Sequence, residues 1–364
     1  MADDFKYHID HHGSLVRPPE LLAARAAGDA TRAEEEAAIA TAHEQRRLTV
    51  SAISDGQFRR AHFESVVYDH VDGFGEASGG GFGEASSGGA GDHPIAELAG
   101  IAPGRRRSVR TTLSATGRLA EHEVAPLLST VDRPVFVTLP SPGYLALLSD
   151  PTGDPATVAR VGEELAAILR AETTALAAQG VAYVALGNPL LAPLLTVDGR
   201  AQIKDADALL EAVLAADRSA VSGLEAPAHF RVGLDLTDHG PLPTTASGYD
   251  AGALGRLIAG TPFHRLGVDF PRDPARRLPF DDIPAGIAVS FGIVDVSSPE
   301  AESMDDLLTL ADEVADRRSL DDVAFAPNAG FAPSATAPLM TAEQQKVKLQ
   351  LVEMVCRYYW GNEI

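Results

Sequence analysis

Short apolar runs rich in β-branched residues alternate along this chain with longer alanine-rich stretches of helical period. That alternation is the signature of a parallel α/β sheet. Eight runs read as strands, at residues 7–11, 50–54, 135–139, 182–186, 230–236, 266–270, 287–293 and 323–326. The clearest helices span residues 32–48, 157–179, 206–217, 251–259, 299–317 and 341–360. In the second of these, Val158, Val161, Leu165, Ile168 and Leu169 are spaced between Glu163, Glu164, Arg170 and Glu172, a one-faced amphipathic pattern.

An open doubly wound sheet and a closed barrel can both use such a pattern. No Gly-x-Gly-x-x-Gly follows an early strand, so the dinucleotide-binding version loses its main support. The count of eight favours a single (β/α)8 TIM barrel occupying residues 1–364. One interruption stands out. Phe74-Gly-Glu-Ala-Ser-Gly-Gly is followed by Phe82-Gly-Glu-Ala-Ser-Ser-Gly, a low-complexity duplication with little to bury. Residues 74–93 are therefore expected to be a flexible surface loop inside the domain, with a mobile lid as the functional alternative.

Barrel enzymes carry their chemistry where strands run out at their C-terminal ends. Here those ends read Asp10-His11-His12-Gly13-Ser14, Ser54-Asp55-Gly56-Gln57, Ser141, Asn188, Asp235-Leu236-Thr237-Asp238-His239, Asp269, Asp295 and Asn328. Loops are polar anyway, which accounts for any one of these residues better than for the whole ring. His11, Asp55 and His239 are the candidate acids and bases, since imidazole and carboxyl groups move protons near neutral pH. Arg17 and Arg59 suit a carboxylate or phosphate, because guanidinium makes bidentate contacts. Ser14, Ser141, Asn188 and Asp295 complete a candidate substrate-binding set. Asp235, Thr237 and His239 alternate along strand five, with Asp269 on the next strand. Two carboxylates and an imidazole would suit manganese(II) or iron(II), although an ordinary hydrogen-bonded cluster is the simpler and favoured reading.

Charge and cysteine content narrow the partners. A net charge of −21 argues against nucleic acid and anionic membranes, and Arg105-Arg106-Arg107 is too short a basic run to change that. No apolar run approaches the ~18 residues of a membrane span, and the start lacks a signal-peptide core, so a cytoplasmic protein is expected. A small-molecule substrate is the expected partner, with a homodimer left open. The lone Cys356 excludes an internal disulfide and any zinc site that needs two cysteines.

Several of these segments resemble the catalytic barrel of cobalamin-independent methionine synthases, the 5-methyltetrahydropteroyltriglutamate–homocysteine methyltransferases, and especially their short single-barrel relatives. His11-His12-Gly13-Ser14-Leu15-Val16-Arg17-Pro18 resembles the family's His-Val-Gly-Ser-x-x-Arg-Pro, and Ser54-Asp55-Gly56-Gln57-Phe58-Arg59-Arg60 its Thr-Asp-Gly-Glu-Phe-Arg-Arg. Thr138-Leu139-Pro140-Ser141-Pro142, Gly292-Ile293-Val294-Asp295 and Pro327-Asn328-Ala329-Gly330-Phe331 match three more stretches. The resemblance runs from His11 to Gly361 and implies the TIM-barrel fold. It also implies a zinc site of His-x-Cys, Glu and Cys, and there the chain departs. Those positions read Asp235-Leu236-Thr237, Asp269 and Ala329, while Asn188 and Gln57 replace family carboxylates. Without thiolates, zinc is not expected and methionine synthesis by the family's route is disfavoured. What remains is a methyltransferase-like barrel acting on a small anionic substrate by altered transfer or lyase chemistry. The alternatives are a metal-free decarboxylase-like enzyme related to uroporphyrinogen decarboxylase, and a non-catalytic binding protein.

Overall fold

Six of the eight apolar runs form strands of one parallel sheet. The structure, a computed structural model, describes residues 7–76, 93–237 and 248–361. Two strands come first in the chain: β1 (Val71–Glu76) and β2 (Arg107–Ala115) pair antiparallel as a separate two-stranded sheet. The main sheet follows in chain order as β3 (Phe136–Pro140), β4 (Tyr183–Gly187), β5 (Arg231–Asp235), β6 (Arg265–Asp269), β7 (Ala288–Val294) and β8 (Val323–Pro327). Every residue of β3, β4, β7 and β8 is buried, which is why these runs are continuously apolar or small instead of alternating.

The first two expected strands are reduced to single bridges, Ile9 with Phe325 and Ile53 with Val135. Side chains take over where ladder bonds would continue: Ser51 Oγ accepts from Ile9 N, and Gln45 brackets Ser54 through both its N–H and its carbonyl. Backbone bonds still run from β8 to residues 8–10, from Ser51 N to Ile9 O, and from Ile53 to Pro134 and Phe136. The two edge strands of the sheet are thus linked through these segments. Inside, Ala52, Phe136, Tyr183 and Ala185 pack together with Tyr7, while a larger apolar cluster fills the space between sheet and helices.

The helices begin and end where local chemistry dictates. Helix Pro155–Gln179 is capped by Asp154, which accepts from Thr157 N, and closes at Gly180 with φ 99°, a conformation glycine adopts without steric cost. Helix Ala342–Trp360 opens with a Thr341/Gln344 capping box. The helix expected from residue 299 starts only at Met304, because Lys348 donates to the carbonyls of Asp295 and Glu300 and to the Glu302 carboxylate. Residues 74–76, expected in the loop, extend β1, and His93 caps helix Pro94–Leu98; residues 77–92 lie outside the described residues. Among the described residues no helix is long and apolar enough to cross a membrane.

Candidate functional site

At the C-terminal ends of the strands, one side is filled. Leu15, Phe58, Val296 and Phe331 form a single apolar cluster against the last helix. The opening lies beside it, over β6 to β8. There Asp269, Arg276, Asp295, Glu302, Asn328 and Ala329 line a cavity of ≈ 380 Å³. Asp269 is the last residue of β6. Burial pushes its carboxyl up to about 6 against the pull of Arg276, with Asp295 adding to the rise. Its Oδ1 has no hydrogen-bond partner. Arg276 ends the short turn Pro274–Arg276, which Asp273 caps. Among the described residues Arg276 makes no ion pair, and its buried Nε has no hydrogen-bond partner. Asp295 is exposed at the rim, where Ser297 N and, at 3.4 Å, Asn328 Nδ2 donate to its Oδ1.

A second, narrower space of ≈ 40 Å³ adjoins this cavity over β4 to β6. It shares Asp269 and Arg276 with the larger one and is otherwise lined mainly by apolar groups, among them Pro189, Leu195, Leu236 and Leu278. Tyr249 stands in the same wall, its phenol raised to about 12 by burial and by the nearby Asp269.

Of the strand-end residues singled out from the sequence, Asp269, Asp295 and Asn328 reach this mouth. His11 is buried between fixed partners: Gly13 N donates to its Nδ1 at 3.2 Å, so Nε2 carries the proton and donates to Gln45 Oε1 at 2.9 Å. Burial lowers its pKa to about 4, which keeps it neutral. Asp235 lies inside the barrel beside His12 at 2.6 Å and takes both the N–H and the hydroxyl of Thr237 on its other oxygen. Gly267 makes room for it, since a Cβ there would sit 2.6 Å from Asp235 Oδ1. Asp55 lines a different small space with Gln57 and Glu123; burial, then Glu123, raises its carboxyl to about 7. His11 and Asp235 line one small space inside the barrel, while Asp55 and Asp269 each line others, so these four strand-end residues are not gathered in one cavity. His239 lies outside the described residues.

The expected anchors are mostly occupied. Arg17 donates to the carbonyls of Ala332 at 2.9 Å, Gln57 at 2.7 Å and Arg60 at 3.1 Å, tying three loops together. Arg59 sits 3.8 Å from both Glu34 and Asp55. Ser14 Oγ is a weak acceptor for Ala332 N at 3.4 Å, and Ser141 Oγ caps helix Pro142–Ser149. Asn188 donates to Asp217, which also accepts from Gly143 N, so Asn188 Nδ2 serves the packing of helix on loop; its Oδ1 is left without a partner.

Two charged groups of this region are not distinguished by the sequence, Arg276 and His12. Arg276 lies in an arginine-containing turn with nothing to distinguish it from solvated neighbours. His12 differs from its neighbour His11 in its partners. Its Nε2 donates to the Pro327 carbonyl at 2.7 Å; burial disfavours its charge, but the Asp235 carboxylate outweighs that and raises it to about 9. Among the described residues no group of three or more His, Cys, Asp or Glu is placed to hold a metal.

Solved structures share this architecture end to end. A putative vitamin-B12-independent methionine synthase from Listeria monocytogenes matches with a TM-score of 0.71 and 18% identity, over 98% of this chain and 98% of that chain. The fold is that of the methionine-synthase-like TIM barrels. A B12-independent methionine synthase from a Shewanella species, solved with selenomethionine, matches with a TM-score of 0.67 and 15% identity over 97% of this chain and 93% of that one. A methyltransferase from Methanosarcina mazei matches with a TM-score of 0.52 and 12% identity, covering 98% of this chain and 95% of that one. No family model matches the sequence, nor does any curated protein.

Proposed function

We propose that this chain is a methionine-synthase-like barrel enzyme that acts on a small anionic substrate at the mouth over β6 to β8, without thiolate-bound zinc. The observation that carries the reading is Arg276. A half-buried guanidinium without a carboxylate partner is costly unless an anion completes it, and a bidentate carboxylate is its natural complement. Asp269 stands beside it, poised to take or give a proton near neutral pH.

The donor set speaks against the zinc of the family that the sequence resembles. Asp235 is saturated by His12 and Thr237, and Ala329 offers no donor atom at all. Residues that would deprotonate a thiol are replaced by an internal ion pair, so no step is routed through a metal. Lyase chemistry fits what remains. Arg276 would hold the substrate carboxylate while Asp269 takes a proton from the carbon next to it. That electron pair forms a carbon–carbon double bond as the leaving group departs from the following carbon with its own pair and receives the proton back from Asp269. The resemblance to methionine synthases and a methyltransferase keeps altered group transfer as the second reading. We also propose a cytoplasmic site of action, on the lone cysteine and the charge of −21.

The test is ligand-induced stabilisation with acetate, malonate and inorganic phosphate, followed by thermal unfolding. The native chain should be stabilised by a small carboxylate, Arg276→Ala should lose the effect, and Arg276→Lys should keep part of it. Equal stabilisation of native chain and Arg276→Ala would remove the anchor and the proposal with it.

A further inference from the structure

The narrow space over β4 to β6 is of a different character from the cavity it adjoins. Leu98, Ala192, Leu195, Leu236, Val268 and Leu278 come from five stretches of chain and converge on it. Asp269 and Arg276 are common to both walls, so charge gathers where the two spaces meet. Apolar lining gives water few partners there, and an apolar group that enters displaces poorly bonded solvent.

We propose that this slot is a tail subsite, and that the substrate is a small carboxylic acid with a short, unbranched apolar end. The carboxylate lies on Arg276 and the chain runs past Asp269 into the slot. This rests on the functional reading above and adds to it the class and length of the substrate. Length follows from volume. A free space of ≈ 40 Å³ accommodates about three water-sized groups, hence about three carbons beyond the carboxyl. Each methylene that leaves water for such a slot should improve affinity about fourfold.

Isothermal titration calorimetry with acetate, propionate, butyrate, pentanoate and octanoate tests this on the full chain. Kd should fall about fourfold per methylene as far as butyrate or pentanoate, and octanoate should bind no better than butyrate. In Ala192→Leu, which fills the slot from a half-buried wall, the ratio of butyrate to acetate affinity should drop to about one. Leu98→Ala, which enlarges it, should move the best chain length up by one or two carbons. Failure of every acid to bind would overturn the functional reading, and the slot with it. Acetate binding with no dependence on chain length, or a gain that survives Ala192→Leu, would overturn the slot alone.

Discussion

His11 and His12 are adjacent and equally buried, yet one is neutral and the other cationic, and the difference lies wholly in their partners. The ring of His11 meets one donor and one acceptor, which suits the neutral tautomer; that of His12 meets a carbonyl and a carboxylate, which suits the imidazolium. A pH prediction follows for His11. Its folded pKa, about 4, lies below the ordinary 6.5, so its contribution to stability is present above pH 6.5 and is lost as the pH falls through 4. A gap of that size corresponds to roughly 3 kcal/mol. Urea unfolding of native chain and His11→Gln at pH 7 and pH 4 should show the native chain losing its advantage over the variant on acidification. An advantage that stays constant would mean that His11 titrates normally. From the sequence, both histidines are simply polar residues at a strand end. No spacing rule distinguishes them, because the partners Gln45, Asp235 and Pro327 are brought in from distant elements.

Among the elements, the main departures from the expected pattern trace to single side chains that cross between layers. Lys348 is the clearest case. It projects from helix Ala342–Trp360, is almost fully buried, and holds the loop after β7 by two carbonyls and Glu302. Removing its charge leaves the partly buried Glu302 carboxylate and two carbonyls without their cationic partner. Lys348→Met should therefore cost about 3 kcal/mol by chemical denaturation, the usual order for breaking a buried pair from one side. Loss of less than about 1 kcal/mol would show the loop to be held by other contacts. Helix Pro142–Ser149 illustrates a different blind spot. Every residue in it is buried, so it has no polar face and no period to read.

For the whole molecule, the commitment of Asp235 to His12 and Thr237 has a direct consequence. Protein grown in zinc-supplemented medium should retain far less than one zinc per chain by elemental analysis, because Asp235 is committed to His12 and Thr237. Tightly held zinc at about one per chain would refute this, whatever its ligands. Much of the architecture was legible beforehand. Six of the eight apolar runs became strands of one parallel sheet within a residue or two, since burial on both faces writes itself as unbroken apolar sequence. The segments at residues 7–11 and 50–54 are more polar and share their backbone bonds with Ser51 and Gln45 side chains, a substitution that pattern alone does not reveal.

The sequence by itself determined the order of strands and helices, the absence of thiolate pairs, and the rim of strand ends on which chemistry could sit. These are local or compositional properties, carried by period, residue type and count. Only the tertiary structure decided which rim residues face an open cavity. The loops after residues 7–11, residues 50–54, β7 and β8 pack over part of the mouth and bury Arg17 and Ser14 among backbone groups. Asp269 keeps one carboxylate oxygen without a hydrogen-bond partner near Arg276, a residue on a loop that periodicity cannot place. Availability of a charged group depends on whether distant chain supplies its partner, and that information exists only once the chain has closed on itself.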